Sequence, residues 1–215
     1  MTPVSSPPHS GLVATALRIE RGDQILFEGI DVIAPPASLV QLTGPNGSGK
    51  TTLLKTLAGL VTPDAGTVRW HDRPLQADPE FTGKLTYVGH LTGLNTELTP
   101  SENLAFLAAL SRAPQRSTIA AALSALNAHT FSDRPVRYLS AGQRQRVALA
   151  RLILFSAEVW LLDEPFTALD QATRTRIEAL IDTHVDGGGI VLIATHQTFT
   201  SRHPIRNVDV TASVT

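Results

Sequence analysis

The feature that most constrains the fold is a glycine-rich loop of the pattern G-x-x-x-x-G-K-T, which runs from Gly44 to Thr51. An apolar run, Leu39–Leu42, leads into this loop, and a helical pattern, Thr51–Leu60, follows it. Strand, glycine loop and helix in this order are the context of a P-loop, in which successive backbone N–H groups surround a phosphate at the positive end of a helix. The alternative is an accidental glycine turn before a helix. The P-loop interpretation predicts an α/β domain.

The residue types in the loop suit the binding of a nucleotide. Lys50 supplies a point charge to the β- and γ-phosphates, and the hydroxyl of Thr51 can ligate Mg²⁺. Glycines allow close approach, because a Cβ would hold the backbone away from the phosphate oxygens. The residues expected to bind ATP here are Gly44, Pro45, Asn46, Gly47, Ser48, Gly49, Lys50, Thr51 and Thr52.

A second chemical site is predicted where four apolar residues precede two acids, in the segment Val159–Glu164. Such a segment predicts a buried strand whose end places Asp163 beside the Mg²⁺. Glu164 follows and can act as a general base on an attacking water. The alternative is a core strand that ends in an exposed acidic turn.

A third segment, LSAGQ at Leu139–Gln143, opens an arginine-rich helical pattern. Ser140 is typical of a helix N-cap, which is the purely structural interpretation. A helix start is also an anion site, and the position of LSAGQ shortly before the acidic strand favours a functional role. His196 follows an apolar run, Ile190–Ala194, where a lone histidine is usually a surface or turn residue.

The remaining pattern alternates between strands and helices, with a helical region in the middle of the chain. Further strands are predicted at Leu12–Ile19, Ile25–Ile33, Thr67–Trp70 and Leu85–Val88, and helices at 101–110, Ile119–Leu126, Ala141–Leu154 and Ala172–His184. We expect a flexible tail at residues 1–10 and one domain at 11–215, with a catalytic core of about 11–89 and 140–215 and a helical insertion of about 90–139. The predicted fold is α/β, with a mixed or parallel sheet core and an antiparallel N-terminal β portion.

Composition excludes several kinds of chemistry and partner. The 215 residues carry a net charge of −1, which does not call for nucleic acid or an anionic membrane. The absence of cysteine excludes disulfides, thiolate metal sites and a thiol nucleophile. The most apolar stretch, Val147–Leu162, contains Arg151 and Glu158 and is shorter than the ~20 residues of a spanning helix. Any membrane association is therefore expected to be peripheral.

Four segments in this order, GPNGSGKT, LSAGQRQRVALAR, LLDEPFTALD and ATH, resemble the nucleotide-binding domain of ABC transporters from about Leu12 to His196. The resemblance implies an ATPase with Mg²⁺ as cofactor, working as a pair of such subunits, here a homodimer. Each ATP then lies between the P-loop of one subunit and the LSAGQ of the other.

The resemblance also implies roles for single residues. Lys50, Glu164 and His196 are implied to be catalytic, with His196 sensing the γ-phosphate. Thr51 and Asp163 are implied to hold Mg²⁺. The residues implied to contact ATP across the dimer seam, or to line that seam, are Ser140, Gly142, Gln143 and Asp170.

Three positions depart from the family pattern. His90 stands where the family usually has a glutamine near Mg²⁺, and a neutral imidazole can still accept a hydrogen bond from a Mg²⁺-bound water. Arg21 stands where an aromatic residue usually stacks on adenine, so the candidates for this contact are the guanidinium plane of Arg21 and the ring of Phe27. Gln197 follows His196, where an acidic residue is common.

The block Tyr87–Leu104, together with ATHQ at Ala194–Gln197, is similar to one subfamily, the haem-exporter ATP-binding subunits of cytochrome c maturation (CcmA). That similarity implies a peripheral ATPase on the cytoplasmic side of the bacterial inner membrane, paired with integral membrane subunits of the CcmB and CcmC kind. Its ATP cycle would drive haem export or the release of a haem-loaded chaperone. In the family the helical insertion receives helices of the membrane subunits. The apolar residues considered for this contact are Leu91, Leu94, Phe106 and Leu107, and packing within the chain is the alternative.

Other functions compete with this interpretation. An ABC exporter of another substrate would carry the same motifs. A soluble ABC ATPase acting on ribosomes or DNA generally has two cassettes, a long coiled-coil insertion or an added basic region, and the sequence contains none of these. A P-loop kinase or GTPase would leave LSAGQ and TALD unexplained, and no guanine-reading N-K-x-D is found.

Overall fold

The computed structural model describes residues 10–22, 24–75, 78 and 80–211. The predicted tail at residues 1–10 therefore lies outside the described residues, apart from Ser10.

An antiparallel sheet forms the N-terminal portion, as predicted. Its four strands are β1 (Leu12–Arg21), β2 (Gln24–Ala34), β4 (Ala65–Trp70) and β5 (Arg73–Pro74), in the order β2-β1-β4-β5. Apolar residues at alternate positions, such as Leu12 and Ala14, face inward and are buried. The pairing of β1 with β2 shifts register after Ala14, where Ala16 has a positive φ of 49°.

A second, parallel sheet forms the centre of the molecule. Its strands are β3 (Ser38–Thr43), β6 (Leu85–Val88), β7 (Val159–Asp163), β8 (Ile190–Ala194) and β9 (Ile205–Asp209), in the order β6-β7-β8-β3-β9. β7 and β8 are buried throughout, because both faces of a parallel sheet are covered. Leu42 and Asp163 both pair with Ala194, so the carboxyl ends of β3, β7 and β8 meet at one edge.

Alternate residues of the parallel sheet belong to two separate hydrophobic clusters. Val159 and Leu161 of β7 join the cluster that includes helix α1 (Lys50–Leu57) and the antiparallel sheet. Trp160 and Leu162 join the cluster formed with the helices of the other face. The sheet is therefore the middle layer of the domain.

The remaining helices are α2 (Phe81–Lys84), α3 (Pro100–Leu110), α4 (Ile119–Ala125), α5 (Ala141–Leu149), α6 (Arg151–Leu154) and α7 (Gln171–Asp186). Helices α3 to α7 contribute buried residues to the cluster on that second face, whereas α2 contributes Phe81 to the cluster that includes α1. The predicted helix Ala141–Leu154 is divided at Ala150 into α5 and α6. Among the described residues, no helix combines the length and hydropathy that crossing a membrane requires.

Helix α1 ends at Leu57, three residues before the predicted end. Gly59 adopts a left-handed φ of 73°, and the N–H of Leu60 bonds to the carbonyl of Lys55 at 2.9 Å. This pairing satisfies the last carbonyls of the helix and stops it.

Candidate nucleotide-binding site

The P-loop connects β3 to α1, and its backbone is shaped by glycines. Gly44 and Gly49 have φ of 137° and 98°, values that side-chain-bearing residues rarely adopt. A Cβ on Gly49 would also lie 2.8 Å from the ring of Phe27, which is fully buried beneath the loop. The Nζ of Lys50 donates hydrogen bonds to the carbonyls of Gly44 (2.7 Å) and Pro45 (2.8 Å), which holds the ammonium across the loop.

A hydroxyl and a carboxylate meet at the start of α1 and the end of β7. The hydroxyl of Thr51 donates to Oδ2 of Asp163 at 2.8 Å, and Asp163 is only 3% exposed. One carboxylate and one hydroxyl fit Mg²⁺, because this ion usually keeps several waters and shares its remaining ligands with nucleotide phosphates. The pKa of the Tyr87 phenol is raised to about 12, chiefly because the group is buried and secondly because of the nearby negative charge of Asp163.

Glu164 is held in an uncommon backbone conformation beside the end of β8. Its φ is 50°, and its N–H donates to the carbonyl of Ala194 at 2.8 Å. The hydroxyl of Thr195 donates to Oε2 of Glu164 at 3.1 Å, and the backbone N–H of His196 donates to Oε1 at 3.2 Å. The His196 Nε2 lies 3.6 Å from the same Oε1.

Lys50, Thr51, Asp163, Glu164 and His196 all line one cleft, which has a volume of about 560 Å³. The residues of the cleft are Arg21, Leu26, Asn46, Gly47, Gly49, Lys50, Thr51, Thr52, His90, Asp163, Glu164, Thr167 and His196. Of the two candidates for the adenine contact, Arg21 lines the cleft, whereas Phe27 is buried under the P-loop and cannot present its ring there. Gly44, Pro45 and Ser48 belong to the loop but are not among the lining residues.

The LSAGQ segment lies outside that cleft. Ser140 is the N-cap of α5: its hydroxyl accepts from the N–H of Gln143 at 3.2 Å, and its own N–H donates to Oε1 of Gln143 at 2.9 Å. A Cβ on Gly142 would clash with the carbonyl oxygen of Ala168. The structural interpretation of Ser140 as an N-cap is therefore correct within one chain, and its side chain remains exposed.

Asp170 lies outside the cleft as well, at the start of α7. Its carboxylate accepts from the N–H of Thr173 at 2.8 Å and forms an ion pair with Arg146 of α5. The hydrogen bonds from Thr173, followed by the charge of Arg146, hold the pKa of Asp170 below its ordinary value.

Sequence reasoning overlooked three residues that brace the site. Gln145 donates from Nε2 to the carbonyl of Pro165 at 3.1 Å, which ties α5 to the loop after Glu164. Arg174 donates to Oε1 of Gln197 at 3.2 Å, and its guanidinium lies 5.1 Å from the ring centre of Phe166. The third residue is Thr195. Its place between the predicted strand β8 and His196 was the available clue.

The amide of Gln197 explains one departure from the family pattern. Its oxygen serves as the acceptor for Arg174, a role that a carboxylate would also fill. Glutamine at position 197 therefore keeps a hydrogen-bond acceptor for Arg174, although it lacks the negative charge of an acidic residue.

The family model for ABC transporters matches residues 27–167, which make up most of the chain and include every residue lining the cleft except Arg21, Leu26 and His196. The chain belongs to the ABC transporter family. Related family members include the cytochrome c biogenesis ATP-binding export protein CcmA of Cupriavidus necator, which is 46% identical over 86% of this chain and 82% of that protein. The protein of the same description from Pseudomonas syringae pv. tomato is 44% identical over 97% of both chains.

Solved ABC cassettes share the fold. The dimeric ABC transporter cassette MJ0796 superposes with a TM-score of 0.79 at 24% identity, covering 93% of this chain and 94% of that one. A dimeric post-hydrolysis state of MJ0796 bound to ADP and Pi gives a TM-score of 0.75 at 25% identity, over 86% of this chain and 88% of that one. The α/β ABC ATPase fold expected from the sequence is confirmed, and the chain is an ATP-binding, ATP-hydrolysing subunit of the ABC type.

Proposed function

We propose that this ATPase powers haem export, or the release of a haem-loaded chaperone, in the maturation of c-type cytochromes. The proposal is supported by the similarity to CcmA proteins over nearly the whole chain. We place it peripherally on the cytoplasmic side of the bacterial inner membrane, as a homodimer joined to integral membrane subunits of the CcmB and CcmC kind.

The observation that carries the catalytic part is the meeting of Lys50, the Thr51–Asp163 pair, Glu164 and His196 in one cleft, while Ser140 lies elsewhere. In our proposal Lys50 exchanges its loop carbonyls for the β- and γ-phosphates, and Arg21 covers the adenine. Thr51 and Asp163 would hold Mg²⁺, and His90 would accept a hydrogen bond from one of its waters. When bound, Mg²⁺ neutralises charge on the phosphate oxygens.

Glu164 accepts the proton of the attacking water in this mechanism, and His196 contacts the γ-phosphate. Ser140, Gly142 and Gln143 of the partner subunit then complete the site, and Asp170 lies at the seam between subunits. A single chain therefore holds only half of each site and is expected to hydrolyse ATP slowly until a second chain arrives.

The helical insertion, about 90–139 within a single domain of 11–215, is our candidate for the membrane-facing region. Leu91 is 85% exposed and Phe106 is 60% exposed, whereas Leu94 and Leu107 pack against the hydrophobic interior. Of the four apolar residues considered, only the two exposed ones are available to a partner.

The base role is tested with Glu164→Gln, which keeps the shape of the side chain and removes its basicity. We expect ATP binding to persist while turnover stops, so that ATP accumulates in a stable dimer. Size-exclusion chromatography with ATP and Mg²⁺ measures the dimer, and phosphate release measures turnover. Unchanged hydrolysis would reject Glu164 as the base.

The haem role is tested separately, by removing the gene from the source organism. We expect c-type cytochromes to disappear from haem-stained gels, and wild type but not Lys50→Ala to restore them. Normal c-type cytochromes in the deletion strain would reject this role and leave the ATPase assignment standing.

Purification from detergent-solubilised membranes should recover integral membrane subunits, whereas ribosomal material would favour a soluble ABC ATPase.

A further inference from the structure

Thr195 links the end of β8 to the carboxylate of Glu164. It lies in the ATH segment, in which only His196 has a role in the proposed mechanism. The side chain is buried, with 4% of the residue exposed. Its hydroxyl makes two hydrogen bonds: it accepts from the N–H of Gln197 at 3.1 Å and donates to Oε2 of Glu164 at 3.1 Å.

The two bonds together determine where the hydroxyl proton points. A threonine hydroxyl has one proton and can rotate to suit its partners. Because the N–H of Gln197 can only donate, it occupies a lone pair of Thr195 and leaves the proton for Glu164. The backbone of Thr195 is also tied, since the amide of Gln41 in β3 donates to its carbonyl at 3.4 Å.

The carboxylate of Glu164 is thereby held on both oxygens. Thr195 donates to Oε2 and the N–H of His196 donates to Oε1, while the left-handed backbone at φ 50° directs the side chain from its other end. Each carboxylate oxygen can accept more than one hydrogen bond, so both retain capacity for a water.

We propose that Thr195 is a positioning residue for ATP hydrolysis, one that fixes the carboxylate of Glu164 toward the attacking water. The inference rests on the proposed role of Glu164 as the general base. Thr195 exchanges no proton and touches no substrate. Its hydrogen bond restricts the Glu164 carboxylate to orientations in which it can accept the proton of the attacking water.

The test compares Thr195→Val, which keeps the shape and removes the hydroxyl, with Thr195→Ser, which keeps the hydroxyl. We expect kcat to fall about tenfold or more for the valine variant, a part of the 10²–10⁴ that general base catalysis supplies. The Kd for a fluorescent ATP analogue should stay within about twofold of wild type, because the P-loop is untouched. Serine should restore most of kcat.

A matched control is Thr56→Val, since Thr56 is equally buried at 1% exposure and its hydroxyl bonds within α1, to the carbonyl of Thr52 at 2.9 Å. We expect this variant to lose stability without a selective loss of kcat. Thermal unfolding is measured for every variant to show that the assays use folded protein. If Thr195→Val does not fold, Thr195→Ala takes its place.

Failure of this inference is distinguishable from failure of the base assignment. If Glu164→Gln stops turnover but Thr195→Val and Thr195→Ala keep the wild-type kcat, only the positioning role is rejected. If Glu164→Gln hydrolyses normally, the base role fails first. Residues acting as a unit are non-additive, so Glu164→Gln with Thr195→Val should be no slower than Glu164→Gln alone.

Discussion

At the scale of single residues, two glycines in the functional segments are required for different reasons. Gly49 combines a left-handed φ of 98° with the ring of Phe27 beneath it, so both its backbone and its missing side chain matter. Gly142 has an ordinary helical backbone, and a side chain there would meet the carbonyl of Ala168. The sequence pattern marks both glycines, but only the fold distinguishes a conformational need from a steric one.

Gly49→Ala should therefore weaken ATP binding. The left-handed backbone costs a Cβ-bearing residue about 1–2 kcal/mol, and displacement of Phe27 adds to this. We expect the Kd for a fluorescent ATP analogue to rise at least about tenfold. Gly188→Ala is the control, because Gly188 has a similar φ of 88° with open space around it, so the variant should lose stability and keep its affinity. Equal affinities for the two variants would contradict this.

His90 provides a second prediction at this scale, because it is exposed and lines the cleft together with Asp163 and Glu164. Glutamine carries an acceptor for a Mg²⁺-bound water and alanine does not. His90→Ala should therefore raise the Mg²⁺ concentration needed for half-maximal ATP hydrolysis, and His90→Gln should restore most of the wild-type Mg²⁺ dependence. The exposed His129, which lies outside the cleft, supplies the control variant His129→Ala. A wild-type Mg²⁺ dependence for His90→Ala would disprove the effect.

At the scale of elements, the sequence predicted β7 and β8, which are apolar throughout, but neither the two-residue β5 nor the largely polar β9. β7 and β8 are uninterrupted apolar runs, because both their faces are covered. β9 reads Ile-Arg-Asn-Val-Asp and exposes its polar positions, so its place beside β3 depends on a long-range pairing that local pattern does not report. The meeting of Lys50, Asp163 and His196 in one cleft was predictable from motif spacing. The bracing by Arg174 depends on side-chain directions that spacing does not encode.

The contact between α7 and β7 yields a prediction about stability. His184 stacks on Trp160 with ring centres 3.8 Å apart, and burial, assisted by the charge of Arg116, lowers the pKa of the histidine from 6.5 to about 4. Between these values the unfolded chain binds more protons than the folded one, so the free energy of unfolding falls as the pH drops from 6.5 to 4. Above pH 6.5 His184 is neutral in both states and contributes no pH dependence.

His184→Phe keeps a ring against Trp160 and removes the titration. The free energy of unfolding should then fall less between pH 6.5 and 4, by up to about 3 kcal/mol relative to wild type. Urea unfolding at several pH values measures this, with His129→Gln as the control that keeps the wild-type slope. Parallel curves for wild type and His184→Phe would rule out His184 as the source.

At the scale of the whole molecule, the proposed composite site between two copies predicts how mixtures of two variants should behave. Asp is as good an N-cap as Ser, so Ser140→Asp should keep α5 intact while it places a negative charge against the partner's γ-phosphate. Lys50→Ala disables the P-loop on its own chain. Each variant alone should be inactive, but an equimolar mixture should regain part of the activity, because the mixed dimer contains one site with neither change.

A doubly substituted chain, carrying Lys50→Ala and Ser140→Asp together, is the control for this mixing experiment. Combined with wild-type chains it forms mixed dimers in which both sites are damaged, so those dimers should add nothing to the activity of wild type. Phosphate release at fixed total protein should therefore fall below the share expected from the wild-type chains present. Activity in proportion to the number of wild-type chains would show that each chain hydrolyses ATP without its neighbour.

The exposed polar residues of β9 influence how two copies of the chain can associate and separate. An edge strand with unpaired backbone groups invites another strand to extend the sheet, and charged side chains such as that of Arg206 discourage this. In the proposed homodimer, two molecules protected in this way would associate through the nucleotide and the loops around it instead of through a shared ladder of backbone hydrogen bonds. Their association would then last only as long as the triphosphate, so the pair could form and separate once in each cycle of hydrolysis.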